Sequence, residues 1–281
     1  EVLQDTAIDT IKLLPFLFIT YLIMEYIEHK TSNKVKDVIK KSGKFGPLLG
    51  AIVGIFPQCG FSVSATNLYA GRVITLGTLI SVYLATSDEM LPILLTEAVP
   101  AGTIFTILGI KLVLGIVAGF IIDFVIRMFR KEKVEEQEEK IEEICEHEHC
   151  HCEEGIVTSA IKHTLNITIF IFFITLVLNG IIAYIGEDTI AHFISKNVIL
   201  GPIVAGLIGL IPNCASSVIL TELFISNVIS MPVLISGVAV NAGVGLLVLF
   251  KTNKNVKENI KIVGILYLIG VLAGIILELF L

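Results

Sequence analysis

Charge is scarce in this chain. Only 16% of its 281 residues are Asp, Glu, Lys or Arg, against 54% hydrophobic, and the mean hydropathy is +0.88. That balance is too apolar for a soluble protein of this size to hide in one core, so the chain reads as a polytopic membrane protein. Short alternating strands are missing as well, which excludes a closed barrel and leaves helices as the spanning elements. No GxxxxGK[ST] occurs, so ATP hydrolysis would need another subunit. Neither HExxH nor a serine/lysine or paired-aspartate arrangement stands out; no enzyme is expected and no cofactor is implied. Glu1 to Asp5 is acidic where a basic n-region would stand, so no cleavable signal peptide is expected.

What remains is aliphatic. Eight apolar blocks follow one another: roughly Ile8 to Ile27, Gly46 to Ala70, Val73 to Thr96, Ile104 to Met128, Ala160 to Tyr184, Gly201 to Ile225, Val228 to Phe250 and Ile262 to Leu281. The net charge of -6 comes from one acidic linker, Glu132 to Glu154, which divides the chain in two. Two blocks carry unexpected polar turns, "GIFPQCGFS" from Gly54 to Ser62 and "GLIPNCASS" from Gly209 to Ser217.

Those turns belong to a repeat. Offset by 155 positions, Gly46 to Val125 aligns without a gap on Gly201 to Phe280. Pro47/Pro202, Gly54/Gly209, Pro57/Pro212, Cys59/Cys214, Ser62/Ser217, Thr66/Thr221 and Gly119/Gly274 match, and Asp123/Glu278 is a conservative acidic pair. Positive charge orients the halves. Lys30 to Lys44 and Arg127 to Lys133 should be cytoplasmic, whereas in the second half the positive loop has moved to Lys251, Lys254, Lys257 and Lys261. Opposite topology makes these inverted repeats, the plan of many secondary transporters, with cargo at the repeat interface near the midplane. Inversion requires an odd number of crossings, yet each half holds four blocks. Helices broken at Pro57 and Pro212 resolve this, either as re-entrant hairpins or as three short spans within Gly46 to Leu95.

Chemistry follows from the break. A helix restarting after proline offers free N–H groups, and its dipole favours the thiolate of Cys59 or Cys214 in the first turn. Gln58 and Asn213 add neutral oxygens, with Ser62 and Ser217 one turn on. Converging at the pseudo-twofold axis, these residues would suit a soft or borderline metal or metalloid. The alternative is that small, proline-broken segments serve packing and the cysteines are small hydrophobes. Asp88 and Glu89 lie well inside the third block, where ionisable residues are functional candidates as metal ligands or proton carriers; a loop at the outer surface is the competing reading. Asn241, aligned with Thr86, joins the candidate set, and the second half supplies no matching acid. Glu222, two turns after Cys214, reads as a pathway carboxylate or as one reaching headgroup water, and Lys111 and Glu97 read as interfacial. In the linker, Cys145, His147, His149, Cys150, His151 and Cys152 form a loose metal-collecting arm or a polar tether, in reduced surroundings without disulfides.

At the duplicated Pro-amide-Cys turns, the "ATSDE" run and the opposed halves, the chain resembles the ten-transmembrane heavy-metal exporter family, whose members are labelled arsenic efflux proteins or manganese transporters, and distantly the organoarsenical permeases. The resemblance implies five transmembrane elements per half, export across the inner membrane, and a site role for Cys59, Cys214 and the Asp88–Glu89 pair. The expected organisation is a first transmembrane repeat over 1–131, a cytoplasmic linker over 132–154 and a second repeat over 155–281, multi-pass in the inner (plasma) membrane with both termini outside. Expected partners are the lipid bilayer and a metal ion or metalloid as cargo, with a homodimer as a candidate assembly and no nucleic acid. A transporter of small organic or inorganic anions, held at the two helix N-termini, is the alternative function.

Overall fold

A computed structural model describes residues 45–57, 59–87, 89–129, 156–185 and 199–280, together with positions 3, 6–8, 10–11, 14–15, 18–19 and 21–22. Among the described residues the fold is all helical: α1 (Gly46–Gly54), α2 (Cys59–Ala70), α3 (Leu76–Ala85), α4 (Met90–Thr96), α5 (Ala101–Phe129), α6 (Ile156–Ile185), α7 (Leu200–Gly209), α8 (Cys214–Ile225), α9 (Met231–Val240), α10 (Gly245–Thr252) and α11 (Val256–Phe280). The expected linker ligands, Cys145 to Cys152, lie outside the described residues.

Five stretches among the described residues are long and apolar enough to cross a membrane: Leu76–Thr96, Ala101–Met128, Ala160–Val177, Met231–Thr252 and Val256–Phe280. The protein is a multi-pass membrane protein, and its surface agrees. Phe105, Phe124, Leu165, Phe173, Leu268 and Leu279 stand exposed on α5, α6 and α11, while Ser81, Asn67, Ser236 and Asn259 are buried. Acyl chains solvate the first group as well as a protein core would, whereas polar groups must find partners inside.

Two of the five stretches are not continuous helices. The third and seventh apolar blocks, read from hydropathy as single runs, each hold two helices: α3 ends at Ala85 before α4 opens at Met90, and α9 ends at Val240 before α10 opens at Gly245. The second and sixth blocks likewise divide, with α1 ending at Gly54 before α2 opens at Cys59, and α7 ending at Gly209 before α8 opens at Cys214. At 1.5 Å per residue, the 9 residues of α1 and the 12 of α2 reach only about 14 and 18 Å, short of a hydrocarbon core of about 30 Å.

Local structure recurs at the 155-residue offset. The Thr75 side chain accepts the Thr78 N–H to cap α3, as Ser230 accepts the Val233 N–H to cap α9. The turn after α2 closes with Arg72 N–H to Tyr69 and Val73 N–H to Leu68, and the turn after α8 closes with Asn227 N–H to Phe224 and Val228 N–H to Leu223. Arg72 (φ 57°) and Asn227 (φ 56°) hold the same left-handed position. Ser81 donates to the Pro47 carbonyl, and Ser236 to the Pro202 carbonyl at 2.8 Å. Asp123 accepts from Thr75 Oγ1 (2.7 Å) and the Gly77 N–H (2.9 Å), and Glu278 accepts from Ser230 Oγ (2.8 Å).

Direction can be read from the glycine contacts. Gly46 faces Thr78, Gly50 faces Thr78 and Val82, and Gly54 faces Val82 and Ala85, so α1 and α3 run the same way. The intervening α2 must therefore carry the chain back. By contrast Gly115 faces Ser81 and Gly119 faces Gly77, so α5 runs against α3. The halves interlock: α2 packs on α10, and α8 packs on α4.

Candidate functional site

The interruptions gather the buried polar groups. In the second half Asn241 follows α9 and is almost fully buried. Its Oδ1 accepts the Gly243 N–H at 2.7 Å, and its Nδ2 donates to Ser216 Oγ at 3.1 Å. Ser216 in turn donates to the Asn213 carbonyl at 2.8 Å. Asn213 is buried, and its side chain caps α8 by accepting the Ala215 N–H at 3.3 Å. The break after α9 and the start of α8 are thereby joined through Ser216, a residue that sequence reasoning passed over in favour of its neighbour. Ser217 is buried too, and its carbonyl accepts from Thr221.

The first half is built differently. Ser62 is fully buried on α2, where a methyl on Gly245 at the start of α10 would stand 3.1 Å from its Oγ. One turn along, Thr66 Oγ1 and the Tyr83 hydroxyl share a hydrogen bond of 2.6 Å, and both reach the Gly245 carbonyl, at 3.2 and 3.3 Å. Position 61, matching Ser216, is Phe61, whose ring lies 5.9 Å from that of Phe56. Glu89 is half-buried at the N-cap of α4 and makes no side-chain capping bond.

Not every expected ligand can be placed. The side chains of Cys59 and Cys214 lie outside the described residues, as do Gln58 and Asp88. Among the described residues no group of three His, Cys, Asp or Glu side chains stands close enough together to hold a metal ion. Glu222 is exposed on α8.

Lys111 corrects the interfacial reading. Its side chain is fully buried on α5, and Nζ donates to the carbonyls of Thr86 and of Val238, the latter at 2.8 Å. The apolar sequence around it fits either an interface or an interior; its partners, far away in the chain, decide for the interior. A second tie between halves lies where the chain enters α3. Arg72 makes a two-pronged pair with Glu258 of α11, at 2.9 and 3.1 Å, and Tyr69 donates to the same carboxylate. Its hydrogen bonds to Glu258 raise the Arg72 guanidinium above its ordinary pKa.

Comparison with known families now bears on this arrangement. A family described as "Putative, 10TM heavy-metal exporter" matches residues 2–187 of the 281. The chain belongs to this family. The matched region takes in α1 to α6, with the first Pro-amide-Cys turn, the Thr86–Glu89 break and Lys111; α7 to α11 lie beyond it. Neither the curated proteins nor the solved structures hold a significant match to the chain. The family's description ties its members to heavy-metal export and names no particular metal.

Proposed function

We propose that this chain exports a transition-metal ion or a trivalent metalloid by alternating access, as a secondary transporter built from two inverted repeats. One observation carries the reading: helices end and restart at equivalent places, α1/α2 with α7/α8 and α3/α4 with α9/α10, and buried polar groups collect around those ends. Irregular backbone at membrane depth is tolerated where it lines a cavity or is buried in protein, and at repeat interfaces it forms cargo sites.

In this reading Pro57 and Pro212 stop α1 and α7, and the same-direction packing of α1 on α3 makes α1–α2 a re-entrant hairpin. Each half then crosses three times: by a leading helix, by the interrupted α3–α4 or α9–α10 pair, and by α5 or α11. Three is odd, so the second half is upside down, in accord with the shift of lysines to 251–261. Cys59 and Cys214 supply thiolates, Gln58, Asn213 and Asn241 amide oxygens, and Ser62 and Ser217 line the approach. Asp88 and Glu89 bind the cation or carry the exchanged proton. The linker over 132–154 is cytoplasmic and delivers metal through Cys145, His147, His149, Cys150, His151 and Cys152; the membrane is the inner (plasma) membrane, with both termini outside.

The test is uptake by inverted vesicles of As(III), Mn, Zn, Co, Ni, Cu and Cd, one at a time. The expected result is uptake of at least one thiophilic member by the parent chain, its loss in Cys59→Ser/Cys214→Ser, and loss of its pH dependence when Asp88 and Glu89 are both alanine. Uptake indifferent to both changes for every cargo ends the proposal. The anion alternative comes second because Asn213 already takes the Ala215 N–H, one of the donors an anion would need. It predicts transport that survives the serine pair.

A further inference from the structure

A lysine with no exposed surface, in the middle of a helix and inside a membrane protein, needs partners to offset its lost hydration. Lys111 finds two of them in backbone carbonyls from opposite halves of the chain. Thr86 is the residue at which α3 stops, and Val238 lies in the last turn of α9. The Val238 carbonyl has no following turn to bond it and carries the negative end of the α9 dipole, whereas Thr86, with ψ 126°, has left the helical direction and presents a lone backbone carbonyl. Two carbonyl oxygens brought together repel unless a cation lies between them. In membrane proteins with broken helices, carbonyls of this kind form the coordination shell of free monovalent cations.

Here the cation is covalently attached. Lys111 reaches both carbonyls from a third helix, α5, and the equivalent position in the second half is Leu266, equally buried and apolar. The charge is therefore supplied once, at the crossing of the two interruptions. We propose that the Thr86 carbonyl just past α3 and the Val238 carbonyl in the last turn of α9 form a monovalent-cation site and that the Lys111 ammonium is its resident occupant. The chain needs no free Na+ or K+ to hold its two interrupted helices together. Truncating the lysine opens a site that a small cation fills. This assignment stands on the contacts of Lys111 and is independent of the cargo reading.

The experiment uses the full chain purified in detergent. Thermal unfolding is followed for the parent, Lys111→Ala, Lys111→Met and Lys111→Arg in N-methylglucamine chloride, then with methylammonium, Na+ or K+ substituted at constant ionic strength. The parent should be indifferent to the exchange. Lys111→Ala should melt about 5–10 °C lower and recover saturably with at least one of the three cations. Lys111→Met, which fills the space without charge, should stay low in all of them, and Lys111→Arg should lie nearer the parent. An alanine variant that responds to none of the cations, or a methionine variant as stable as the parent, overturns the proposal. If the alanine variant is not recovered folded, methionine against arginine decides: equal melting temperatures reject a charge requirement, and arginine well above methionine upholds it.

Discussion

Gly119→Ala is the sharpest test of the three-helix contact on which the first half is built. An added methyl there would stand 2.7 Å from the Gly77 carbonyl oxygen, 2.7 Å from Pro47 Cβ and 3.0 Å from Ser81 Cβ, so it meets α1 and α3 at once. Unstrained contacts of this kind need about 3.4 Å or more. The neighbours are backbone and Cβ atoms, which cannot rotate aside. Overpacking of a close-packed contact costs roughly 1–3 kcal/mol, against a gain of up to about 1 kcal/mol from alanine's better helix propensity. The net loss is up to about 3 kcal/mol, or a melting temperature lower by up to roughly 12 °C at about 2–4 °C per kcal/mol. Gly109, on the same helix, has nothing within 4 Å of an added methyl, so Gly109→Ala should be neutral or slightly stabilising. Gly274→Ala, which meets Ser236 Cβ at 2.6 Å and the Pro232 carbonyl at 3.0 Å, should behave like Gly119→Ala. The assay is fluorescence-detected thermal unfolding in one detergent for all three. Gly119→Ala melting with Gly109→Ala or above it would refute the packing described.

Two further outcomes are expected. Asn241→Ala strands the Gly243 N–H and removes the donor to Ser216, costing about 1–3 kcal/mol in the same assay, whereas Thr86→Ala, whose hydroxyl donates within its own helix to Val82, should cost less. A cycle of Arg72→Met and Glu258→Gln should give a coupling of about 1–2 kcal/mol, since the pair is two-pronged and about three-quarters buried; additive losses would show that the pair contributes nothing across the halves.

Much of the frame was legible in the residues. The alignment of Gly46 to Val125 on Gly201 to Phe280 needed only identities at Pro, Cys, Gly, Ser and Thr, and the helix ends, caps and left-handed turns recur at that offset. The interruption at 86–89 was harder to see. Asp88 and Glu89 marked the place, but two carboxylates fit an ionisable site inside a span as well as a loop between two short spans, and composition alone does not choose between them. Lys111 was illegible for another reason: a lysine flanked by leucine and isoleucine can snorkel or be buried, and its acceptors are 25 and 127 positions away. Ser216 was missed beside Ser217 because the choice between adjacent residues depends on which way α8 is turned toward Asn241, a matter of tertiary packing.

The clasp of α2 by α10 sets a timetable for assembly. Thr66 and the Gly245 carbonyl that receives its hydrogen bond are separated by 179 positions. At synthesis rates of roughly 5–20 residues per second, the nascent first half waits about 10–35 s for that acceptor to emerge. Through that interval the buried face of Ser62, Thr66 and Tyr83 has no final mate, so translocation machinery or water must shelter it. Severing the chain inside the linker should leave both pieces able to rejoin, but the leading piece made by itself should be short-lived.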